Sequence, residues 1–434
     1  MFLIGARQTG KSWILREFGE KAFDHYVLCD FEEETPRTQK ISQIIAEYGL
    51  DADKILEAAG LDGTIKRTDN TLVIFDEVQR NPRLFTALKY IKEKRPDAYV
   101  VASGSLMGLA LKTGARAPVG AVNILRMFPM TFYEFLEAMG EHDALSIIYE
   151  CDWKNYKHFS TIFENRLHEY LAIGGMPGPV SIFLETGNLT FVREEQSAIL
   201  STYEQDFNVH LKDPELTEKI RFAWHTACRL SGERNEKSIF FQKIPSRRAA
   251  DFYAARQWLE DCGLIHICYR SLNPSGILAG NIDIKRNNAC KIYPLDVGLC
   301  LAQNAIPIET FFSEMNDAAK VLYGKIIEHY VHQQLFVESR NLKIADPAYY
   351  SWQYHGKFYE IDFMLADGLE SLPVEVKSQK HFHSVSLDKF QEQFHPQKIL
   401  RICPRHPSIE KSIWSIPLAL AQSALLLSKA HDVS

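Results

Sequence analysis

The chain has 434 residues, of which 46% are hydrophobic and 24% are charged, so it is long and apolar enough for two or three folded domains. Its net charge of −6 excludes a protein that coats nucleic acid over its whole surface, although a local basic patch is compatible with that charge. The eight cysteines are scattered without a Cys-x-x-Cys pair, which argues against a zinc site and favours reduced thiols in a cytoplasmic protein.

The first predicted strand and the first predicted helix enclose a phosphate-binding loop. A short apolar run, Phe2–Ile4, is followed by eight residues with the P-loop spacing G-x-x-x-x-G-K-[ST]. Successive backbone N–H groups of such a loop point at phosphate oxygens, and the helix N-terminus adds partial positive charge. Lys11 is expected to reach the β- and γ-phosphates of ATP, and Ser12 to hold Mg²⁺. The predicted nucleotide-binding residues are Gly5, Ala6, Arg7, Gln8, Thr9, Gly10, Lys11, Ser12 and Trp13.

Alternating strands and helices continue to about residue 140, a pattern typical of a parallel, three-layer α/β sheet. Because the sheet is expected to be buried on both faces, its strands should be continuous apolar runs. After the P-loop, the predicted helices are residues 13–26, 38–60, 83–94 and 131–139, and the predicted strands are residues 26–30, 71–75, 98–105 and 122–128.

Polar residues follow two of these strands at their carboxyl ends, where a parallel sheet faces its ligand. Asp76 is expected beside Mg²⁺, and Glu77 is expected to orient or deprotonate the water that attacks ATP. Ser103 can hold a polar side chain against the γ-phosphate, or it can belong to an ordinary strand-to-loop turn. The predicted catalytic residues are therefore Glu77, Ser103 and Lys11, and the predicted magnesium ligands are Ser12 and Asp76.

The middle of the chain has the element order of a winged helix. A helical linker is predicted at residues 141–165, and a helix end with a Gly/Pro turn at residues 170–179. Such modules place one helix in the major groove of DNA, where basic side chains meet phosphates. They also serve as spacers between proteins, in which case the basic side chains form a solvated face. The predicted helices are residues 190–206, 215–232 and 246–262, the predicted strands are residues 264–269 and 290–294, and the basic residues are Lys243, Arg247, Arg248 and Arg256.

The C-terminal part of the sequence has the residues expected of a second metal site. A predicted amphipathic helix at residues 321–338 places Glu328 at or near its apolar face. Two predicted strands follow, at residues 358–365 and 372–378. Side chains alternate between the faces of a strand, so Glu360 and Asp362 share one face of the first strand, and Glu375 and Lys377 share one face of the second. This is the spacing of the restriction-endonuclease-like fold, in which carboxylates hold Mg²⁺ or Mn²⁺ and a lysine steadies the developing charge. The predicted site is Glu328, Asp362, Glu375 and Lys377, in an active nuclease or in a silent nuclease-like core.

These motifs together resemble prokaryotic AAA-type ATPases that carry a C-terminal domain of unknown function with a nuclease-like fold. The resemblance rests on the P-loop and the Asp76-Glu77 strand, and on Phe128-Pro-Met-Thr-Phe-Tyr-Glu-Phe-Leu136 and Tyr170-Leu-Ala-Ile-Gly-Gly-Met-Pro. It continues through Pro373-Val-Glu-Val-Lys. It implies an α/β fold with four segments: a P-loop AAA-type ATPase domain at 1–140, a helical linker and winged-helix domain at 141–305, a restriction-endonuclease-like domain at 306–410 and a C-terminal helix at 411–434.

The sequence departs from this family at two places. The family usually has a helical lead-in before the P-loop strand that helps to hold adenine, whereas this sequence starts at the strand. The family also tends to place Lys or Arg after Pro-Val-Gly, where this chain has Ala121. The basic role is therefore expected to be vacant or to move to Arg116 or Arg126.

Three functions follow from these predictions. The first is a Mg²⁺-dependent ATPase that acts on or with DNA. The second is an ATP-gated nuclease that uses Asp362, Glu375 and Lys377. The third is a nucleotide-binding signalling or scaffold protein with a vestigial nuclease core, which would work with a protein partner or as a homo-oligomer. The longest apolar stretch, residues 416–427, is too short to span a bilayer, so we expect no membrane association.

Overall fold

The computed structural model describes residues 1–60, 70–105, 123–150, 152, 155–210, 213–229, 231, 252–274, 282, 290–307, 317–368, 370–380 and 384–427. The chain divides into two compact units. The first comprises Met1–Phe128 and Trp258–Leu264, and the second comprises Pro129–Gln257 and Ile265–Ser434. In the described ranges, no helix has both the length and the apolar character needed to cross a membrane.

The first unit contains the predicted parallel sheet. Its strand order is β2-β3-β4-β1-β5, so β1 lies between β4 and β5. The predicted helix at 38–60 is wrong in one respect, because it is two helices separated at Gly49, which has φ of +71°, and capped anew by Asp51. The elements are β1 Phe2–Ile4, α1 Lys11–Ala22, β2 His25–Asp30, α2 Pro36–Tyr48, α3 Ala52–Ala59, β3 Thr71–Asp76, α4 Pro82–Lys94, β4 Tyr99–Gly104 and β5 Ile124–Arg126.

Both faces of this sheet are buried, which explains the continuous apolar run in β3. Leu72 and Ile74 belong to one hydrophobic cluster, together with Leu15 of α1. Val73 and Phe75 belong to a second cluster, on the other face, which is completed by side chains of α2, α3 and α4. Alternate β3 side chains thus enter opposite cores, and the strand ends with its polar residues at the edge of the sheet.

The second unit begins with a helical region. Met176 precedes α8 and Pro177 opens it, so the predicted Gly/Pro turn leads into a helix that the sequence analysis did not predict. Lys243, Arg247 and Arg248 lie outside the described residues, so the winged helix stays a prediction. The two strands predicted for its β-ribbon are described, and they pair antiparallel as β6 and β7. The elements are α5 Phe132–Ala138, α6 His142–Tyr149, α7 Tyr156–Ile173, α8 Pro177–Thr186, α9 Leu189–His210, α10 Pro214–Arg229, α11 Tyr253–Asp261, β6 Ile265–Tyr269, β7 Cys290–Pro294 and α12 Val297–Gln303, and the last four residues of α11 are assigned to the first unit.

The remainder of the second unit is a six-stranded mixed sheet with the order β12-β13-β11-β10-β9-β8. Strands β8, β9 and β10 are antiparallel neighbours, whereas β11 runs parallel to β10. The predicted C-terminal helix at 411–434 is wrong at its start, because Ile413–Pro417 pairs with β11 as a strand. The elements are α13 Asp317–Asn341, β8 Ala348–Tyr354, β9 Lys357–Asp367, β10 Glu370–Val376, α14 Val385–Phe394, β11 Ile399–Cys403, β12 Ser408–Glu410, β13 Ile413–Pro417 and α15 Ala424–Leu427.

Candidate active site and the C-terminal acidic cluster

The predicted P-loop joins β1 to α1 in a backbone conformation that depends on glycine. Gly10 has φ of +89°, a left-handed conformation, at the position immediately before α1. A Cβ atom on Gly5 would lie 2.4 Å from the carbonyl oxygen of Met127, which is too close for any side chain. Thr9 fixes the loop from within by donating its hydroxyl to the carbonyl of Ala6 at 2.9 Å. The two motif glycines therefore permit a tight turn at the N-terminus of α1.

Lys11 lies inside this loop. Its side chain is buried, and its Nζ donates to the carbonyl oxygen of Ala6 at 2.7 Å. Burial lowers the pKa of Lys11, while the nearby charges of Glu77 and Asp76 oppose that shift. Its partner is thus a neutral backbone oxygen, which an anionic ligand can replace with a stronger, charge-assisted bond.

The other predicted loop residues differ in exposure. Arg7 donates to Glu32 at 2.9 Å, so its guanidinium is engaged at the surface beside the loop. Gln8 has φ of +61°, and Trp13 is 67% exposed. The exposed indole of Trp13 is available for contact with a ligand, and it is not part of the hydrophobic core.

Asp76 and Ser103 meet at the carboxyl ends of β3 and β4. Both side chains are buried, and the Ser103 hydroxyl donates to Asp76 Oδ1, which also accepts the Glu77 backbone N–H at 3.0 Å. The other carboxylate oxygen, Asp76 Oδ2, is buried and has no hydrogen-bond partner among the described residues. A buried polar atom without a partner is costly, so this oxygen is suited to a bound cation. The residues present here therefore fit a magnesium ion.

Glu77 is held by two neighbouring side chains. Its backbone is left-handed, with φ of +52°, and its side chain is buried. Glu77 Oε2 accepts hydrogen bonds from Ser105 Oγ at 2.7 Å and from the Gln79 amide. Gln79 also donates to Ser105 Oγ at 3.1 Å, which closes a small network around the carboxylate. Sequence reasoning missed both partners, although Ser105 stands two residues after Ser103.

One further acidic residue lies at this edge. Asp30 ends β2 and is in register with Asp76 on the neighbouring strand. Burial raises the pKa of Asp30, and the charge of Asp76 adds to the shift. A parallel sheet brings its carboxyl strand ends to one edge, so the acidic end of β2 was a signal that the sequence analysis left unused.

The C-terminal acidic residues of the second unit are organised around an unpredicted lysine. Lys291 of β7 is buried, and its Nζ lies 2.7 Å from Glu328 Oε1 and 2.7 Å from Glu360 Oε1. It lies 3.9 Å from Asp362 Oδ1. Tyr293 also donates to Glu328, at 2.7 Å. A lysine within an otherwise apolar strand, Cys290–Pro294, was the signal in the sequence.

The remaining motif residues form a second group next to the first. Glu375 Oε1 accepts from Lys377 Nζ at 2.6 Å and from Ser384 Oγ at 2.7 Å. Asp362 Oδ2 accepts the backbone N–H of Val376 at 2.8 Å, which ties β9 to the residue after Glu375. The structure thus brings the four predicted residues into one region, with Lys291 between Glu328 and Asp362.

The charges of this region are not fully balanced. Burial raises the pKa of Glu375 to about 7, and the nearby charge of Asp362 adds to the shift, while Lys377 opposes it. Burial also raises the pKa of Glu328, although Lys291 opposes that shift. Burial disfavours the ammonium form of Lys291, but three carboxylates outweigh this and raise its pKa well above the usual value. The carboxylates therefore favour the charged form of Lys291.

A shared divalent ion does not fit this arrangement. Hard cations need several oxygen ligands at about 2.0–2.6 Å. Lys291 Nζ already lies 2.7 Å from Glu328 Oε1 and 3.9 Å from Asp362 Oδ1, where such an ion would have to lie. Glu375 Oε2 has no hydrogen-bond partner among the described residues, but the other oxygen of this carboxylate already accepts from Lys377 and Ser384. No group of three or more His, Cys, Asp or Glu side chains in the described part of the chain has the arrangement of a metal site.

Three family models match consecutive parts of the chain. Residues 1–136 match the model of an AAA domain. This part of the chain is therefore similar to AAA domains. Residues 164–309 match a domain of unknown function, DUF8612, and residues 323–420 match another, DUF4143. The boundaries predicted at residues 140, 305 and 410 remain predictions.

Similar solved structures are distant in sequence and in overall arrangement. A Walker-type ATPase of Pyrococcus abyssi is 15% identical over 70% of this chain and 90% of its own, with a TM-score of 0.40. Cdc6p of Pyrobaculum aerophilum is 12% identical over 72% and 88%, with a TM-score of 0.26. Orc1 of Aeropyrum pernix, solved in complex with DNA, is 12% identical over 72% and 88%, with a TM-score of 0.23. TM-scores this low carry no conclusion about shared architecture. A search of curated proteins gave no significant match.

Proposed function

We propose that the protein binds ATP with Mg²⁺ at the P-loop and hydrolyses it. The observation that supports this proposal is that Asp76 Oδ2 is buried and has no hydrogen-bond partner among the described residues. Asp76 belongs to the part of the chain that matches an AAA domain. Asp76 lies beside Ser103 at the carboxyl edge of the parallel sheet. The P-loop follows β1 at the same edge. An acidic oxygen of this kind, next to a phosphate-binding loop, is what a nucleotide-bound magnesium ion requires.

The roles of the loop residues follow from their positions. Backbone N–H groups of residues 5–12 would donate hydrogen bonds to phosphate oxygens, as the turn at Gly10 directs them, and Lys11 would exchange the Ala6 carbonyl for a phosphate. Ser12 and Asp76 would hold Mg²⁺, whose chemistry is to neutralise the charge of the phosphates. Trp13, being exposed, would contact the nucleotide from outside the loop.

Glu77 would orient the attacking water and accept its proton. In the structure its Oε2 is occupied by Ser105 and Gln79. Two donors on one carboxylate oxygen hold that oxygen in place, away from a water molecule. Ser105 and Gln79 would therefore restrain Glu77 until the nucleotide is in place. Ala121 stands where a basic residue is expected, so Arg126 and Arg116 are the candidates to take over that role. Arg126 pairs in register with Ile4, just before the P-loop. Arg116 lies outside the described residues, as does Ala121.

For the C-terminal core we favour the scaffold role over the ATP-gated nuclease. The order α13, three antiparallel strands, α14 and a parallel strand supports a restriction-endonuclease-like ancestry. The ion pairs of Lys291 with Glu328 and Glu360 argue against a metal-dependent reaction there. A protein partner or a second copy of the chain would then receive the signal from the ATPase domain.

Action on DNA through Arg247 and Arg248 stays a prediction, because these residues lie outside the described ranges. Arg256 is described, and its guanidinium lies 5.4 Å from the centre of the Tyr253 ring. The cytoplasmic location also stays a prediction.

The test of the proposed function is steady-state hydrolysis of Mg-ATP by the full chain, with and without duplex DNA. We expect wild type to hydrolyse ATP, and Glu77→Gln to bind ATP but turn over at least about tenfold more slowly, which corresponds to about 1.4 kcal/mol of barrier. Glu93→Gln is the matched control, because Glu93 is an exposed residue of α4 paired only with Lys89 in the described structure. Equal rates for wild type and Glu77→Gln would contradict the proposal, and stimulation by DNA would support the DNA-acting form of it.

A further inference from the structure

Glu328, Glu360 and Asp362 form the C-terminal acidic cluster. They surround the ammonium group of Lys291. Lys291 Nζ is within hydrogen-bond distance of two of these carboxylates and within ion-pair distance of the third. The lysine side chain is only 2% exposed. It therefore occupies the space at the centre of the cluster that a cation would otherwise fill.

The cluster is assembled from separate parts of the chain. Glu328 comes from α13, and Glu360 and Asp362 come from alternate positions on one face of β9. Lys291 comes from β7, in the segment that matches DUF8612, whereas all three carboxylates are in the segment that matches DUF4143. One segment thus supplies the positive charge for the carboxylates of the other.

A divalent ion and Lys291 exclude one another at this position. Both would contact the same oxygens of Glu328 and Asp362, and like charges a few ångströms apart in a low-dielectric interior repel strongly. The lysine cannot withdraw to solvent without leaving unpaired three carboxylates that are only 19–22% exposed, which is unfavourable. The rings of Tyr349 and Phe363, at 5.6 Å and 5.9 Å from Nζ, further line its position.

We propose that Lys291 replaces the divalent cation of a nuclease-like core, so that the C-terminal acidic cluster takes no metal. The lysine supplies a positive charge to the cluster and joins the central segment to the C-terminal sheet. This inference extends the scaffold role proposed above, and it is independent of whether the P-loop hydrolyses ATP. Removal of the ammonium should leave a set of carboxylates that binds Mn²⁺ or Mg²⁺ instead.

The first test measures Mn²⁺ binding by the nucleotide-free full chain carrying Asp76→Asn, which removes the acidic ligand of the P-loop site. Electron paramagnetic resonance of free Mn²⁺ reports uptake, and thermal melting with and without MnCl₂ reports stabilisation. We expect no stoichiometric uptake and no Mn²⁺-dependent rise in melting temperature. Stoichiometric uptake that is lost on adding Asp362→Asn would overturn the proposal, and this measurement needs no change at Lys291.

The second test adds Lys291→Met to the same background. We expect a stoichiometric Mn²⁺ site and a melting temperature that rises with MnCl₂. Lys320→Met is the matched control, because Lys320 is a partly exposed lysine of α13 paired with Asp317, and it should gain no site. If Lys291→Met does not fold, Lys291→Met with Glu360→Gln reduces the unpaired charge and keeps Glu328 and Asp362. A folded variant that takes up no more Mn²⁺ than the control would refute the inference.

Discussion

Each of the two units contains a buried lysine beside carboxylates, but the two lysines have different partners. Lys11 of the first unit donates to the backbone carbonyl of Ala6 and leaves Asp76 Oδ2 without a partner. Lys291 of the second unit donates to Glu328 and lies equally close to Glu360. The first arrangement keeps charges apart within reach of a ligand, and the second joins them directly.

The difference shows how a binding site can be distinguished from an internal ion pair. At the P-loop, a ligand with phosphates and Mg²⁺ would satisfy the groups that the chain leaves unsatisfied. In the C-terminal acidic cluster, the chain supplies its own cation, and a ligand would have to break buried ion pairs before it could bind. The presence of acidic residues in a motif is therefore weaker evidence for a metal than the state of their oxygens.

The largest effect is expected from removing the internal cation. Lys291→Met leaves three carboxylates without their ammonium. Breaking a buried ion pair by removing one partner costs about 3–5 kcal/mol, and the cost here should be at the lower end or below it because the three carboxylates are 19–22% exposed. Urea denaturation in the presence of EDTA should show this loss in the second unit. Lys320→Met should change the unfolding free energy by no more than about 0.5 kcal/mol, as expected for a surface residue. Equal stabilities of the two variants would show that the ion pairs around Lys291 do not hold the core.

The corresponding change at the P-loop should affect ligand binding and leave the fold intact. Lys11→Ala should abolish the stabilisation by Mg-ATP, which for wild type at a hundredfold excess over the dissociation constant is about 2.7 kcal/mol. Thermal melting with and without Mg-ATP measures this difference. Lys21→Ala is the control, because Lys21 is an exposed residue of the same helix paired with Glu17. An equal ATP-dependent shift in Lys11→Ala and wild type would contradict the role of Lys11.

A smaller effect is expected from the pH dependence of the second unit. Burial raises the pKa of Glu375 to about 7, above the ordinary value of 4.5, so the folded chain binds this proton more tightly than the unfolded chain. The resulting stabilisation is complete below the ordinary pKa and is lost as the pH rises through the folded pKa.

Relative to Glu375→Gln, wild type should therefore lose stability between about pH 5 and pH 8, on the order of 1 kcal/mol. Denaturation of both proteins across this range, with EDTA present, measures the difference. Parallel pH profiles would show that Glu375 keeps the same pKa on folding, and a wild type that gains stability would reverse the sign of the shift.

The smallest effect concerns the restraint on Glu77. Ser105→Ala removes one donor to Glu77 Oε2, and a single hydrogen bond contributes about 1 kcal/mol. We expect basal ATP hydrolysis to rise by up to about fivefold, with unchanged ATP binding, because Glu77 is released toward the water. Steady-state rates at saturating Mg-ATP test this. A slower variant would mean that Ser105 positions Glu77 for reaction, so the restraint would be the wrong interpretation.

Much of the first unit was predictable from the sequence because its determinants are local. The P-loop is a contiguous segment, and its glycines, Lys11 and Ser12 act through the backbone of a single turn. The parallel sheet then places Asp76 and Ser103 at one edge, since parallel strands end together. The C-terminal sheet was less predictable: the helix expected at 411–434 begins as the strand Ile413–Pro417, because an apolar run alone does not distinguish a helix from a buried strand.

The sequence by itself determined which residues form the P-loop and which carboxylates are in the C-terminal motif. Only the tertiary structure decided whether those carboxylates have partners. Lys291 and Glu328 are 37 positions apart, and no periodicity relates them. Their contact depends on how β7 packs beside α13 and β9, so the replacement of a cation by an ammonium could not be read from the motif. The physical reason is that an ion pair depends on distance in space and on burial, which spacing along the chain does not specify.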